Sequence, residues 1–218
     1  MERKLLLLLL FFVCLFSCGI VRAATLPLLG KVIYLDPGHG GADPGAIAGN
    51  IEEADINLQI SLKLQEVLEK QGAIVYMTRY GDYDLAVNNT SLRKRSDLSR
   101  RVRIINESLA DMYISIHLNA DTSTTWRGAQ IFYSTVNTEN EKIANIFQNQ
   151  LKEDLNTNRE CKQLTNQYMY KRINIRGILA EVGFITNPNE RYLLKQDDYQ
   201  YKIANSLSKA VIKYFVNN

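Results

Sequence analysis

Both histidines of the chain lie where a predicted strand meets a loop. His39 stands in DPGHGGADPGA and His117 in SIHLNA. Neutral imidazole is the commonest zinc ligand, and a catalytic zinc site usually has three protein ligands and a fourth position for water. The pattern therefore predicts a hydrolytic metal site in which His39 and His117 are two of the ligands.

A carboxylate is the natural third ligand, and Glu53 suits this role. It lies just before a helix predicted to begin near Ile56, and the start of that helix would bring its side chain back towards the PGHGG loop. Glu52 and Asp55 are neighbours that could substitute for it. Glycines around His39 allow the backbone to turn sharply after the strand. We therefore predict a zinc ion, Zn²⁺, held by both histidines and Glu53.

Glu181 stands inside the apolar run ILAEVGF. Apolar neighbours at both parities predict a strand buried on both faces, where an ionised carboxylate is costly without a partner. Burial raises the pKa of a carboxyl group and a nearby cation lowers it, and these two influences can poise a general base. The alternative is an ordinary strand residue that faces solvent. We predict that Glu181 is the catalytic base.

Three further features each have two interpretations. Asn119 follows His117 closely and either orients a substrate or makes a turn, and we keep it as a candidate substrate-binding residue. Trp126 either contacts a sugar ring or packs within its loop. A basic run could grip an anionic polymer, although a solvated helix face is the favoured interpretation. This run consists of Arg93, Lys94, Arg95, Arg100, Arg101 and Arg103.

The elements that carry these residues alternate between strands and helices. β-Branched and aromatic runs predict strands at residues 31–36, 73–78, 112–117, 129–134 and 178–182. Helical apolar spacing predicts helices at residues 56–71, 96–108, 139–155 and 199–215. This order predicts an α/β fold, a three-layer sandwich whose central, mostly parallel mixed sheet is flanked by helices. Ligands bind beyond the carboxyl ends of such strands, so His39, His117 and Glu181 should converge on one rim.

Length and composition predict one folded domain after an amino-terminal segment. The chain has 218 residues, of which 46% are hydrophobic and 22% charged, as expected for a globular protein rather than a disordered one. It has 26 basic and 23 acidic residues, a mildly basic balance that does not indicate nucleic acid as a partner.

Residues 1–24 predict an export segment, because a short basic start precedes an apolar run from Leu5 to Val21 and then small residues. The run is slightly shorter than the roughly 20 residues of a membrane span. Cleavage after Ala23, retention as a membrane anchor and lipidation at Cys18 are therefore all open. Beyond this segment Cys161 stands alone, which excludes an internal disulfide there. We expect an exported, extracytoplasmic protein.

Six motifs, taken in order, resemble those of the zinc-dependent N-acetylmuramoyl-L-alanine amidases of bacterial cell walls. They are DPGHGGADPGA, the following Glu53, RVRIIN, SIHLNA, RGAQIFY and ILAEVGFITNPNE. The likeness predicts an amidase catalytic domain over residues 30–218. It implies zinc on both histidines and Glu53, Glu181 as the catalytic glutamate, and hydrolysis of the amide between N-acetylmuramic acid and the L-alanine of the stem peptide.

Within this family, the segment SLRKRSDLSRRVRIIN, the export segment and the single catalytic domain are similar to the germination-specific amidases of spore-forming bacteria. That similarity implies peptidoglycan as the substrate and a role in spore cortex maturation, where removal of stem peptides allows muramic δ-lactam to form. We also expect no wall-binding module beside the catalytic domain. Targeting to the cell wall or membrane on the cortex side would then come from the export segment or an accessory protein.

Two other functions fit parts of the pattern. A site of two histidines and one glutamate also serves zinc carboxypeptidases, so a peptidoglycan peptidase is one alternative. A non-catalytic wall-binding protein that has kept the fold is the other. The complete set of predicted ligands together with Glu181 favours the amidase.

Overall fold

Strands and helices alternate along the chain, as predicted. A computed structural model describes residues 26–216. The strands within this range are β1 (Val32–Pro37), β2 (Ile47–Ala48), β3 (Ile51–Glu52), β4 (Ile74–Met77), β5 (Met112–Asn119), β6 (Gln130–Tyr133), β7 (Lys162–Gln163) and β8 (Gly177–Phe184). The helices are α1 (Glu53–Lys70), α2 (Arg93–Glu107), α3 (Asn140–Leu155), α4 (Pro188–Leu194) and α5 (Asp197–Val216). Every predicted element is present with ends shifted by a few residues, whereas β2, β3, β7 and α4 were not predicted.

Six strands form the central sheet in the order β4-β1-β5-β8-β6-β7. Strands β4, β1, β5 and β8 run parallel to one another. Strand β6 is antiparallel to β8 and parallel to β7, so β6 and β7, the last two strands at one end of the sheet, run the opposite way. The predicted mostly parallel mixed sheet is therefore confirmed.

The two faces of the sheet bury different sets of residues, because side chains alternate along each strand. One face, with Leu35, Ile114 and Ala180, packs in the same core as α1, α3 and α5. The other face, with Tyr113 and Leu179, packs against α2 and an irregular segment, residues 164–175. We call this second side the cleft face. The three-layer sandwich is confirmed, with an outer layer on the cleft face that is part helix and part irregular chain.

The register of the parallel strands brings the candidate residues to one rim. His117 of β5 pairs directly with Glu181 of β8, and Pro37 of β1 pairs with Ile116 of β5. His39 follows two residues after the end of β1. Paired residues of parallel strands point to the same face, so His117 and Glu181 both project on the cleft face.

Within residues 26–216, no helix has the length and apolar character that a membrane span requires. The export segment predicted at residues 1–24 lies outside the described residues, so cleavage, anchoring and lipidation stay predictions. Cys161 is a free thiol in the described part of the chain.

Candidate metal centre and catalytic cleft

The structure brings His39, Glu53 and His117 together, with one possible ligand atom from each within 4.8 Å of the others. Glu53 Oε1 lies 3.0 Å from His117 Nδ1 and 3.3 Å from His39 Nε2. Two bonds of about 2 Å at a tetrahedral zinc place their ligand atoms about 3.3 Å apart. Both the types of the donor atoms and their spacing therefore fit zinc. Glu52 and Asp55, the other candidates for the carboxylate ligand, are exposed and outside this cluster.

Glu53 lies at the first residue of α1 and is buried. Its Oε1 accepts hydrogen bonds from the backbone N–H of Leu118 at 3.0 Å and from Asn57 Nδ2 at 3.2 Å. Its Oε2 accepts one from the backbone N–H of Ala46 at 2.9 Å. Burial alone would raise the pKa of Glu53, but hydrogen bonds and charge interactions with both histidines hold it far below its ordinary value. Glu53 is thus an ionised carboxylate, the form that binds a metal.

His39 has a backbone φ of 62°, a left-handed conformation that is unfavourable for a residue with a Cβ. Arg101 Nη2 donates a 2.6 Å hydrogen bond to its carbonyl oxygen and holds it in this conformation. His39 Nδ1 lies 3.1 Å from Asp43 Oδ2. A carboxylate on the second ring nitrogen is the usual way to fix the tautomer of a metal-binding histidine. Sequence reasoning missed Asp43, although its position four residues after His39 was a usable signal.

Two glycines leave room for the ligands. A Cβ on Gly38 would overlap the ring of His117. A Cβ on Gly45 would lie 2.6 Å from Glu53 Oε2 and 2.7 Å from His39 Cδ2, and Gly45 also has a φ of +70°. The glycine-rich composition of DPGHGGADPG therefore follows from close packing around the ligands as well as from the sharp turn.

Two buried arginines support the loop that carries His39. Arg79 donates hydrogen bonds to the carbonyl oxygens of Pro37, Gly38 and Ala54, at 3.0, 2.9 and 2.7 Å. Ala54 follows Glu53 in α1, so one guanidinium ties the loop to the helix start that positions the carboxylate ligand. These bonds restrain the backbone on both sides of the metal cluster.

Arg101 completes this support and forms a buried ion pair. Its Nη1 donates to Asp36 Oδ1 and to the Pro37 carbonyl, both at 2.8 Å, and its Nε lies 2.9 Å from Asp97 Oδ2. Burial would raise the pKa of Asp36, but Arg101 and hydrogen bonds from Ser115 and Thr78 lower it. The solvated-face interpretation of the basic run is therefore wrong for Arg101. Lys94, Arg95, Arg100 and Arg103 are exposed, and of these Lys94 also lines the cleft described below.

Glu181 lies beside His117 on the rim and differs from Glu53 in its surroundings. Its Oε2 is buried and has no hydrogen-bond partner within residues 26–216. Burial, the largest influence, raises the pKa of Glu181 to about 7, with Glu53 adding to the rise and His117 and His39 opposing it. A carboxyl group with this pKa can accept and release a proton near neutral pH.

The metal cluster and Glu181 open into a cleft of about 370 Å³ on the cleft face. Its walls are the first half of α2, with Lys94 and Leu98, and residues 167–170. Leu179 lines it together with Glu181. A larger cleft of about 940 Å³ lies between α4, the end of α3 and residues 124–128, and none of the candidate metal or catalytic residues lines it.

The other two sequence candidates lie away from this cleft. Asn119 ends β5, and its carbonyl oxygen accepts a hydrogen bond from the backbone N–H of Ile185 at 2.9 Å. Its side chain is not among those that line the cleft, and its role in binding substrate stays a prediction. Trp126 is half-exposed, and the guanidinium of Arg159 lies 5.4 Å from the centre of its ring.

Residues 33–213 match the family model described as N-acetylmuramoyl-L-alanine amidase (Amidase_3). The chain is 47% identical over 195 residues to the germination-specific N-acetylmuramoyl-L-alanine amidase of Bacillus subtilis strain 168, and the alignment covers 88% of this chain and 82% of that protein. All of the candidate metal and catalytic residues fall inside the matched range.

Two solved structures are similar in fold. The CwlD amidase from Clostridioides difficile, in complex with the GerS lipoprotein, has a TM-score of 0.82 and 39% identity, and the alignment covers 86% of this chain and 100% of that one. An N-acetylmuramoyl-L-alanine amidase from Clostridium difficile 630 has a TM-score of 0.78 and 29% identity, covering 86% and 98%. The similarity in sequence and the similarity in fold thus cover similar shares of the chain, 88% and 86%.

Proposed function

Because the chain belongs to the N-acetylmuramoyl-L-alanine amidase family, a family of amide hydrolases, we propose that it cleaves the amide between N-acetylmuramic acid and L-alanine of peptidoglycan at the cluster of His39, Glu53 and His117. One observation carries this proposal. Three ligand atoms within 4.8 Å of one another stand beside Glu181, a buried carboxyl group whose pKa is about 7. A ligand set and a proton acceptor on one rim are the two parts that metal-assisted amide hydrolysis requires.

Both histidines and Glu53 would hold Zn²⁺ as two neutral imidazoles and one carboxylate. When bound, zinc lowers the pKa of a water molecule from about 15.7 towards roughly 7 and polarises the substrate carbonyl. Asp43 keeps the proton of His39 on Nδ1, which leaves Nε2 free to act as the ligand.

Glu181 moves the proton. It accepts one from the water that attacks the amide carbon, and it passes that proton to the alanine nitrogen as the carbon–nitrogen bond breaks. The products are a free carboxyl group on muramic acid and a free amino group on the stem peptide. One group acting as base and then as acid works best with a pKa near the working pH, and burial raises the pKa of Glu181 in that direction.

We further propose that the protein acts outside the cytoplasm, on the peptidoglycan of the spore cortex, and that germination depends on its product. The name of the Bacillus subtilis relative supports the germination role. The Clostridioides difficile relative was solved with a lipoprotein, which supports a partner protein for this chain as well. Removal of stem peptides would free the lactyl carboxyl group, which can form the muramic δ-lactam once the N-acetyl group of the sugar has also been removed.

Mass spectrometry of reaction products tests this function. Purified protein saturated with zinc is incubated with cortex and with vegetative peptidoglycan, with and without a chelator. We expect intact stem peptides and muramic acid with a free carboxyl group, lost with the chelator and restored by added zinc. Shortened stem peptides would indicate a carboxypeptidase instead, and the absence of any product from the zinc-saturated protein would indicate a non-catalytic wall-binding protein.

A further inference from the structure

Two arginines that the proposed hydrolysis does not use contact Tyr168, a residue that lines the catalytic cleft. They are Arg95 of α2 and Arg172 of the irregular segment, and both stack on the Tyr168 ring. We call these three residues the cationic wall. Within the range 26–216, neither guanidinium has a carboxylate partner, whereas Arg93 pairs with Asp84.

The cationic wall is held in place by several contacts. The Arg172 guanidinium lies 3.9 Å from the centre of the Tyr168 ring, and its Nη1 donates a 2.8 Å hydrogen bond to the Tyr168 carbonyl. The Arg95 guanidinium lies 5.5 Å from the same ring centre. The Tyr168 hydroxyl is 2.9 Å from Ser99 Oγ of α2. The wall thus ties α2 to the irregular segment and presents positive charge at a defined place.

The charge of this wall acts on its surroundings. The pKa of Tyr168 lies below its ordinary value, first because of its hydrogen bond with Ser99 and then because of Arg95 and Arg172. Lys94, the next cation along the cleft, is 3.3 Å from Asp43 and is partly neutralised. Arg95 and Arg172, which have no carboxylate partner among residues 26–216, therefore keep positive charge next to Tyr168 that would attract an anionic group.

The substrate has an anion that could meet this wall. The second residue of a stem peptide is a glutamate whose α-carboxyl group is free unless the wall chemistry amidates it. This carboxylate follows the alanine whose nitrogen is released, so it would lie in the cleft next to the metal cluster. A guanidinium binds a carboxylate through two parallel hydrogen bonds, and an amide cannot accept them in the same way.

We propose that Arg95 and Arg172 bind the free carboxylate of the second stem residue, so that the protein prefers acidic stem peptides to amidated ones. This inference rests on the proposed function, because it concerns the leaving part of the same substrate. It gives α2 and the irregular segment a role in choosing substrate, in addition to covering the sheet.

The test measures kcat/KM of the zinc-loaded protein on two muropeptides that differ only in the second stem residue, free glutamate or its amide. We expect the acidic muropeptide to be preferred by about tenfold. Arg95→Gln combined with Arg172→Gln should lower kcat/KM on the acidic muropeptide by about tenfold and on the amidated one by less than about twofold. Arg172→Lys should keep part of the preference, because it keeps charge but not the two-pronged geometry.

Two controls keep the result clear. Arg103→Gln removes an exposed cation from the same helix and should leave both rates unchanged. Tyr168→Phe removes the hydroxyl group that contacts Ser99 and Arg95 but keeps the ring that carries the guanidiniums, so part of the preference for the acidic muropeptide should remain. Equal losses on both muropeptides, or a wild-type protein without preference, would overturn the inference. If the wild-type protein cleaves neither muropeptide, the proposed function itself fails. Arg95→Gln alone, at an exposed position, serves if the double variant does not fold.

Discussion

On one side of the site a buried glutamate has several hydrogen-bond partners, and on the other side a second buried glutamate keeps one oxygen with no partner among residues 26–216. Glu53 accepts hydrogen bonds from Ala46, Asn57 and Leu118, and its pKa is far below the ordinary value. Glu181 Oε2 has no such partner, and its pKa is raised to about 7. Since both residues are glutamates, their surroundings alone produce the difference between the two pKa values.

The residues that surround the metal ligands also differ from those that surround Glu181. Beneath the ligands, Arg79 and Arg101 bind the backbone of residues 37–39 from the buried side. Beside Glu181, strand β8 contributes the buried apolar residue Leu179 on the same face. The metal ligands are thus fixed before any metal binds, because hydrogen bonds already hold the Glu53 carboxylate and the backbone of residues 37–39. The other side keeps a carboxyl group in a form that can exchange a proton.

The largest expected effect is that of Glu181→Gln, which changes the proton acceptor and leaves the metal ligands unchanged. We expect kcat to fall by about a hundredfold to ten-thousandfold, because the variant keeps the shape of the side chain but cannot accept the proton. Zinc content should stay unchanged, since the ligand side is intact. Metal analysis and kinetics on the same preparation check both parts. Loss of zinc together with activity would mean that Glu181 contributes to metal binding instead.

A smaller effect is expected from Asp43→Asn, which changes the partner of the proposed metal ligand His39. The carboxylate that lies 3.1 Å from His39 Nδ1 is replaced by an amide that can face the ring with either end. Zinc affinity should fall by about tenfold to a hundredfold, the usual range for partners of metal-binding histidines. Competition with a chromogenic chelator measures the affinity. Activity at saturating zinc should recover most of its wild-type value, and failure to recover would mean that Asp43 also acts on substrate.

The two sides also differ in how far they could be predicted. His117 and Glu181 are recognisable from sequence because each interrupts an apolar strand, and the parallel register then places them side by side. Glu53 was ambiguous, because Glu52 and Asp55 are equally close along the chain. The structure brings Glu53 alone of the three to the histidines, since α1 begins at that residue.

The supporting structure was less predictable, because its partners are distant in sequence. Asp36 and Arg101 are 65 positions apart, and a basic run gives no sign that one of its members is buried. Helix α4 was missed although Asn187 caps it and Pro188 begins it, a combination that favours a helix start. Strands of two residues, such as β7, carry too few side chains to show a period.

The smallest expected effect is on stability, and it again concerns Glu181. In the zinc-free folded protein its pKa is about 7, against an ordinary value of 4.5 in the unfolded chain. Below pH 4.5 both states hold the proton. As pH rises from 4.5 to about 7, the unfolded chain releases it while the folded protein retains it, so the wild type loses stability over this window and Glu181→Gln does not. The variant should be more stable by about 1–3 kcal/mol at pH 8 and about equal at pH 4.

Urea unfolding with a chelator present measures this difference in stability between the wild type and Glu181→Gln. Bound zinc should reduce it, because a nearby cation lowers the pKa of the carboxyl group. A difference that does not change with pH would mean that Glu181 ionises as freely in the folded protein as in water, and the contrast between the two sides of the site would then be lost.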